Sequence, residues 1–150
     1  MIKTSFVLLG LALLTSCNFV EEEPAARVVA ERAMFTCTVA SITDGDTLRC
    51  RELEADGKQI RVRLSGIAAR ERDGSCSANH PCPAASADAA TAELTRLTGD
   101  GPLLCRQTGT TFSRRAAFCA NAAGTDLSCA MVASGTAAKW ERYWGDHRCP

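Results

Sequence analysis

Three clusters of charged residues in this chain could carry out chemistry. The first is Asp44-Gly45-Asp46-Thr47, the second is Arg63 followed eight residues later by Glu71, and the third is Ser113-Arg114-Arg115. Carboxylates can hold hard cations or exchange protons, and arginines can fork onto phosphate. Each cluster also has a plain interpretation, as a turn, an exposed strand residue or a solvated surface charge. Their meaning therefore depends on whether the fold brings them together.

The elements that must position these residues can be predicted from periodicity and turn signals. Asp44-Gly45 between two β-prone runs is typical of a hairpin, and Gln59 to Ile67 alternates as a half-buried strand does. Glu71 to Pro83 is predicted to be a loop because it is rich in Gly, Ser, Asn and Pro. An alanine-rich helix is predicted at Ala84–Leu97 and is ended by Gly99. Further elements are predicted as the hairpin strands Thr36–Ser41 and Thr47–Arg51, the later strands Leu103–Arg106 and Arg115–Ala120, and a second helix from the N-cap Asp126 to the stop at Gly135.

This order, β-β-β-α-β-β-α, predicts a mainly β fold with helices, in the α+β class. Five strands with a helix after the third is the order of a five-stranded OB-type barrel with two helices. Such barrels often bind oligonucleotides or sugars.

The N-terminus predicts export. Lys3 precedes an apolar run from Phe6 to Leu14 that is short for a transmembrane helix and has the form of a signal peptide. Leu14-Thr15-Ser16-Cys17 resembles a bacterial lipobox, in which the cysteine becomes the lipid-bearing first residue of the mature protein. The alternative is a plain secretory signal with an incidental cysteine. We predict a signal peptide at 1–16 and lipidation of Cys17, which would attach the protein to a membrane.

Cysteine usage agrees with export. Nine cysteines occur in 150 residues, and removing Cys17 leaves eight, an even number that favours a disulfide framework. Zinc is the alternative, but there is no Cys-x-x-Cys pair, and His80 and His147 lack partners at ligand spacing. Eight cysteines allow 105 connectivities, so the count alone leaves the pairing open.

Composition predicts one small domain. Residues 17–33 are polar and acidic at first, which suits a tether, and residues 34–150 have the length of a single domain. Loss of Lys3 with the signal peptide leaves 16 basic against 17 acidic groups. The balance gives no overall basic excess for nucleic acid, so an anionic ligand must be held by a local cluster.

Four segments together resemble the staphylococcal nuclease (thermonuclease) domain. They lie in order and at matching spacing between about residues 36 and 140. The third segment has Phe-Ser-Arg where the family usually has Tyr-Gly-Arg. The segments are Ile42–Leu48, Val62–Ile67 with Glu71 beyond it, Phe112-Ser113-Arg114, and Asp126-Leu127 leading to Met131-Val132 and Gly135-Thr136-Ala137.

The resemblance implies calcium-dependent hydrolysis of phosphodiester bonds in DNA or RNA. It makes Asp46 a calcium ligand and Glu71 the general base or water-orienting group. Arg63 and Arg114 would clamp the phosphate and stabilise charge in the transition state. Ala69 would offer its backbone carbonyl as a further calcium ligand. Asp44 and Thr47 would be outer contacts to the site.

The chain departs from the family between Ile67 and Glu71. Ala68 stands where the family has a second calcium-binding aspartate, so calcium affinity should fall severely. Arg70 replaces a proline, and we expect it to loosen the turn and to place positive charge beside the metal. Asp73 is two residues past Glu71, and nothing in the sequence directs it to the metal.

Three functions remain open. The domain is a weakened nuclease, an inactive nuclease-like domain that binds nucleic acid or a protein partner, or a structural envelope lipoprotein. The retained Asp46, Arg63, Glu71 and Arg114 favour the nuclease, whereas Ala68 favours an inactive domain. No protein partner is identifiable from the sequence. Asn18 after the cysteine favours the outer membrane, so we expect a lipid-anchored envelope protein on the periplasmic or extracellular side.

The nuclease-like fold also implies a disulfide pairing. It would place the cysteines as four sequential pairs, of which the first spans the opening hairpin. The family commonly has a third helix after Gly135, which here must be missing or truncated. Trp140, Tyr143 and Trp144 would then cover the core, with base stacking as their alternative role. The predicted pairs are Cys37–Cys50, Cys76–Cys82, Cys105–Cys119 and Cys129–Cys149.

Overall fold

The computed structural model describes residues 33–150. The predicted signal peptide, the lipidation site Cys17 and nearly all of the tether lie outside these residues. Within the described range, no helix is long and apolar enough to cross a membrane.

The domain is mainly β with few helices, and its principal sheet has six strands curled into a half-barrel. The order across this sheet is β1-β6-β7-β4-β3-β2; β4 and β7 are parallel, and the other neighbours are antiparallel. β5 and β8 form a separate antiparallel pair. The strands are β1 Met34–Cys37, β2 Val39–Asp44, β3 Thr47–Leu53, β4 Gln59–Leu64, β5 Ile67–Ala68, β6 Leu103–Thr111, β7 Arg114–Ala120 and β8 Ala138–Lys139; the helices are α1 Ala87–Thr98, α2 Leu127–Ala133 and α3 Glu141–Trp144.

The alternation predicted for β4 is confirmed. Ile60, Val62 and Leu64 are buried, whereas Arg61 and Arg63 between them are partly exposed. Branched and apolar residues at every second position therefore give this strand one core face.

The predicted hairpin joins β2 and β3, with Asp44 opposite Thr47. Gly45 in its turn is buried, and its backbone is not in the left-handed region. A β-carbon added at Gly45 would lie 2.4 Å from the β-carbon of Ala90 in α1 and 2.6 Å from that of Ala69. Glycine is required here because the β-carbons of Ala90 and Ala69 approach it closely, and not because of its backbone φ.

A single residue, Thr38, separates β1 from β2, which lie at opposite edges of the six-stranded sheet. Its N–H donates to the carboxylate of Glu52 at 2.9 and 3.0 Å, and its carbonyl accepts from the N–H of Arg51 at 2.8 Å. Because the two edge strands are joined at one residue, the sheet must curl until its edges approach each other.

Both predicted helices are present, with small changes at their ends. α1 begins at Ala87 and not at Ala84, because the Ser86 hydroxyl accepts from the N–H of Ala89 at 3.2 Å and caps the helix there. Asp126 caps α2 as predicted, accepting from the N–H of Cys129 at 2.9 Å.

Within residues 33–150 the structure has eight strands where five were expected. The run expected at Thr36–Ser41 is divided into β1 and β2, the run expected at Gln59–Ile67 is divided into β4 and β5, and β8 is additional. The strand expected at Leu103–Arg106 continues to Thr111, because antiparallel pairing with β7 extends to the turn before Arg114. The one helix in the described residues after Gly135 is the four-residue α3, which agrees with the expected truncation of a third helix.

Four disulfides join the predicted pairs of cysteines. Cys105 and Cys119 are directly opposite each other in β6 and β7, with their Cα atoms 4.1 Å apart. The other Cα separations are between 5.0 and 5.7 Å, for Cys37–Cys50, Cys76–Cys82 and Cys129–Cys149. These links tie the edge strand β1 to β3, β6 to β7, and the C-terminal segment to α2, and they close the loop before α1.

Candidate functional site

A buried ion pair lies at the centre of the predicted site. Asp46 lies in the β2–β3 turn, and Arg63 lies near the end of β4. Thr47, the residue after Asp46, is paired with Arg63 across β3 and β4. Arg63 Nη1 lies 2.5 Å from Asp46 Oδ2, and the side chains are 12% and 9% exposed. The contact lacks hydrogen-bond alignment, so this buried Nη1 has no hydrogen-bond partner among the described residues.

Asp46 also accepts hydrogen bonds from two neighbours. Oδ1 accepts from the Thr47 hydroxyl at 3.1 Å, and Oδ2 accepts from the N–H of Ala69 at 2.9 Å. Asp44 accepts from the N–H of Asp46 at 3.1 Å, which fixes the turn. Burial raises the pKa of Asp46 to about 6, although the positive charge of Arg63 opposes this.

Arg114 reaches the same place from the other side. It follows a β6–β7 turn in which Phe112 and Ser113 both have positive φ, 45° and 59°. Its Nη1 donates to the Thr47 hydroxyl across 3.4 Å, a long contact that leaves the guanidinium free to bind another acceptor. Burial, and then the charge of Arg63, lower the pKa of Arg114. The fold therefore brings together two of the three arginine and carboxylate groups predicted to be catalytic.

Arg63 and Arg114 line a cavity of about 510 Å³, which we call the arginine cavity. A third arginine, Arg142, also lines it, and no carboxylate does so among the described residues. Its wall is otherwise largely polar and aromatic. The lining includes the hydroxyl residues Ser65, Thr108, Thr110 and Thr111 and the aromatic residues Phe112, Trp140, Tyr143 and His80.

Glu71 lies outside this lining. It is exposed and accepts a hydrogen bond from the Ser77 hydroxyl at 2.6 Å. His80, which does line the cavity, stacks against Trp140 with the ring centroids 4.1 Å apart. Burial and the charge of Arg63 lower the pKa of His80, and the charge of Glu71 opposes this. Glu71 therefore lies within electrostatic range of the cavity rim without touching Asp46 or the arginines in any contact seen here.

The expectation for Arg70 is wrong. Its Nε donates to the carbonyl of Pro83 at 3.0 Å, and its Nη1 donates to the carbonyl of Gly74 at 2.8 Å. Arg70 thus fastens the loop that Cys76–Cys82 closes, and does not loosen it. Asp73 is held in the same loop, where it accepts from the N–H and hydroxyl of Ser75 at 2.9 and 2.6 Å.

The residues around Asp46 do not fit a calcium ion. Ala68 is completely buried, paired with Ala138 between β5 and β8, and offers no side-chain ligand. The contact that Ala69 makes is through its N–H, which cannot coordinate a cation. In residues 33–150, no group of three potential metal ligands includes Asp46. Calcium takes about 6–8 oxygen ligands, and Asp46 alone supplies too few.

Sequence reasoning did not single out several residues of the cavity. Arg142 and His80 are isolated in the sequence, and only the packing of α3 and the disulfide loop brings them to the arginines. Packing of the aromatic residues is confirmed for Trp144, which is 7% exposed in the core. Trp140 and Tyr143 instead line the cavity, and Tyr143 is 51% exposed.

Comparison with known proteins gives no family. No family model matches the chain, and no curated protein matches it significantly. What the domain does must therefore be inferred from the site itself.

Proposed function

We propose that the domain binds the phosphodiester backbone of nucleic acid in the arginine cavity and has little or no hydrolytic activity. The observation that carries this is the lining itself, with three arginines and no carboxylate among the described residues. Guanidinium groups form strong paired hydrogen bonds to phosphate oxygens. Asp46, which does not line the cavity, pairs with Arg63. Arg114 and Arg142 are therefore the arginines proposed to bind the phosphate.

The aromatic residues favour nucleic acid over a free small anion. Phe112, Trp140 and Tyr143 lie around the arginines, and Phe112 is 89% exposed. An exposed aromatic ring beside a cationic groove is the arrangement on which bases of a single strand stack. One phosphate at the arginines and one base on an aromatic ring would occupy neighbouring parts of this surface.

Calcium-dependent hydrolysis of DNA or RNA is the second candidate. Two observations favour it. Asp46, Arg63 and Arg114 lie together. The negative charge of Glu71 also opposes the lowering of the pKa of His80 at the cavity rim. In this interpretation Glu71 would have to leave Ser77 in order to activate water. Against it stands Ala68, which offers no carboxylate where the resemblance places a second calcium-binding aspartate.

We also propose that the domain is nuclease-like and that its curled sheet is an OB-type barrel. The one-residue link at Thr38 supports closure, because one continuous segment then pairs with β6 on one side and β3 on the other. The positive φ of Ser113 supports the nuclease resemblance, because that conformation suits the glycine usual in the family at this position.

We propose that the domain works outside the cytoplasm, attached through lipid at Cys17. Four disulfides in a domain of this size support an oxidising location. An envelope protein of this kind would meet extracellular or periplasmic nucleic acid.

Binding can be tested by fluorescence anisotropy with a short single-stranded oligonucleotide. We expect Arg114→Ala to weaken binding about tenfold, as loss of one charge-assisted phosphate contact does. Arg96→Ala removes the same charge from the exposed face of α1, where Arg96 pairs with Glu93, and should leave binding unchanged. Equal losses in the two variants would mean that only total charge matters, and would contradict a site at the cavity.

Cleavage separates the two candidates. The wild type, Ala68→Asp and Glu71→Ala should be compared on labelled DNA and RNA with calcium and with a chelator. We expect an inert wild type, and a gain of calcium-dependent cleavage in Ala68→Asp. Calcium-dependent cleavage by the wild type that Glu71→Ala abolishes would instead establish the nuclease.

A further inference from the structure

A second cluster of reactive side chains lies around the C-terminal disulfide, and it includes none of the residues that line the arginine cavity. His147 Nε2 is 3.0 Å from Asp126 Oδ2 and 3.6 Å from Cys129 Sγ. One ligand atom from each of these three residues lies within 4.8 Å of the others. Cys149 Sγ is bonded to Cys129 Sγ, so it belongs to the same cluster.

The fold holds each of these groups in a fixed orientation. Asp126 uses Oδ1 to cap α2, which leaves Oδ2 directed at His147. The imidazole is stacked on Phe118 at a centroid distance of 3.6 Å, and the His147 carbonyl accepts from Trp144 Nε1 at 2.9 Å. The side chains of His147 and Asp126 are 10% and 13% exposed. Such prearrangement is more than a disulfide needs.

We propose that reduction of Cys129–Cys149 converts this cluster into a binding site for a zinc-class divalent metal. The ligands are Asp126 Oδ2, Cys129 Sγ, His147 Nε2 and Cys149 Sγ. Zinc prefers four ligands of this kind in tetrahedral geometry. The pairs Asp126-x-x-Cys129 and His147-x-Cys149 lie on α2 and on the C-terminal segment. A metal would therefore replace one cross-link between these segments with another.

The chemistry balances with a dithiol reductant. The reductant transfers two electrons and two protons to the S–S bond and is itself oxidised to a disulfide. This leaves two thiols, and the metal displaces their protons and that on His147 Nε2. Three anionic ligands and a divalent ion leave a net charge of −1. Arg106 Nη2, 3.5 Å from His147 Nδ1, offsets this charge, although its guanidinium must turn when Nδ1 takes up a proton.

The site has an entry path and is more accessible than two of the other disulfides. Asp126, Cys129 and Cys149 line an open groove of about 590 Å³. Cys149 is exposed and Cys129 is half-buried, whereas the cysteines of Cys37–Cys50 and Cys105–Cys119 are at most 1% exposed. A reductant without denaturant should reach the C-terminal link before those two.

The test uses the whole protein and Zn²⁺ alone, followed by calorimetry and by mass spectrometry of alkylated cysteines. After mild reduction, we expect one zinc ion per chain and protection of Cys129 and Cys149 from alkylation. The oxidised protein should bind none. Cys129→Ser/Cys149→Ser should bind none after the same reduction, whereas Cys76→Ser/Cys82→Ser should bind as the wild type does.

Asp126→Asn keeps a good helix cap and removes the anionic ligand, so it tests the site without removing the cap. We expect its zinc affinity to fall by about tenfold or more. The proposal is overturned if the reduced wild type keeps its near-ultraviolet circular dichroism and binds no zinc. It is equally overturned if reduction unfolds the domain and zinc does not restore it, or if the double serine variant binds as well as the wild type. None of these results depends on nucleic-acid binding.

Discussion

Replacement of Arg63 by glutamine should destabilise the domain strongly and in a pH-dependent way. Arg63 is the only cation in salt-bridge contact with Asp46 among the residues that the structure describes. Removal of one partner of a buried ion pair leaves an uncompensated charge and typically costs about 3–5 kcal/mol. The Thr47 hydroxyl and the Ala69 N–H still donate to the carboxylate. We therefore expect the free energy of unfolding to fall by about 3 kcal/mol at pH 7.5, at the lower end of this range.

The pH dependence follows from the pKa of Asp46, which burial raises to about 6 even with Arg63 present. The folded wild type therefore binds this proton more tightly than the unfolded chain, whose value is 3.8. Its contribution to stability is full below about pH 4 and is lost as the pH rises through about 6. Without Arg63 the folded pKa is higher still, so the loss continues above pH 6. The difference between variant and wild type should thus be small at pH 5 and large at pH 7.5.

Urea unfolding at these two pH values, with the disulfides intact and tryptophan fluorescence as the signal, measures this difference. Arg96→Gln is the matched control, because it removes an arginine from an exposed ion pair and should cost less than about 1 kcal/mol at either pH. An Arg63→Gln cost that is the same at pH 5 and pH 7.5 would refute the reasoning, as would a cost no larger than that of the control.

Three further predictions concern packing, backbone conformation and binding. Gly45→Ala should lower the free energy of unfolding by about 1–3 kcal/mol, because its β-carbon would meet two alanine β-carbons at 2.4 and 2.6 Å. Gly109→Ala is the control, since nothing lies within 4 Å of the added carbon. Equal effects of the two substitutions in chemical unfolding would contradict overpacking. Ser113→Gly should raise stability by about 1 kcal/mol by relieving a φ of 59°, and an unchanged or lower melting temperature would count against strain there. Phe112→Ala should weaken oligonucleotide binding by about 1–3 kcal/mol while leaving inorganic phosphate binding unchanged. Leu104→Ala, at another exposed hydrophobic residue, is the control. An equal loss of oligonucleotide affinity in Leu104→Ala would exclude stacking on Phe112.

Sequence alone predicted those parts of the fold that depend on local chemistry. The alternation in β4, the Asp-Gly turn and the cap at Asp126 follow from residues close in the chain. The pairing of the eight cysteines did not follow from their number, and was predicted from the nuclease resemblance. Arg63 and Asp46 also met as expected, because β3 and β4 are adjacent strands.

Long-range features were not predictable in the same way. Arg70 was expected to loosen its turn, but its partners are the carbonyls of Gly74 and Pro83, and no residue type signals a backbone acceptor. His147 was set aside as a metal ligand because no partner lies at ligand spacing. Its partners Asp126 and Cys129 are about twenty residues away and are brought near by the C-terminal disulfide.

The short strand β1 has a mechanical consequence. It contains four residues, pairs with β6 along its length, and ends at Cys37, which is bonded to Cys50 in β3. If the chain is pulled from its N-terminal end, only these four residues can peel away before the force reaches a covalent bond. Beyond that point the disulfide transmits the force from Cys37 to Cys50 in β3. Strand β2 lies between these two cysteines in the sequence and does not bear the force. A domain held to a surface by its N-terminus would thus resist extension through one cross-link placed at its first strand.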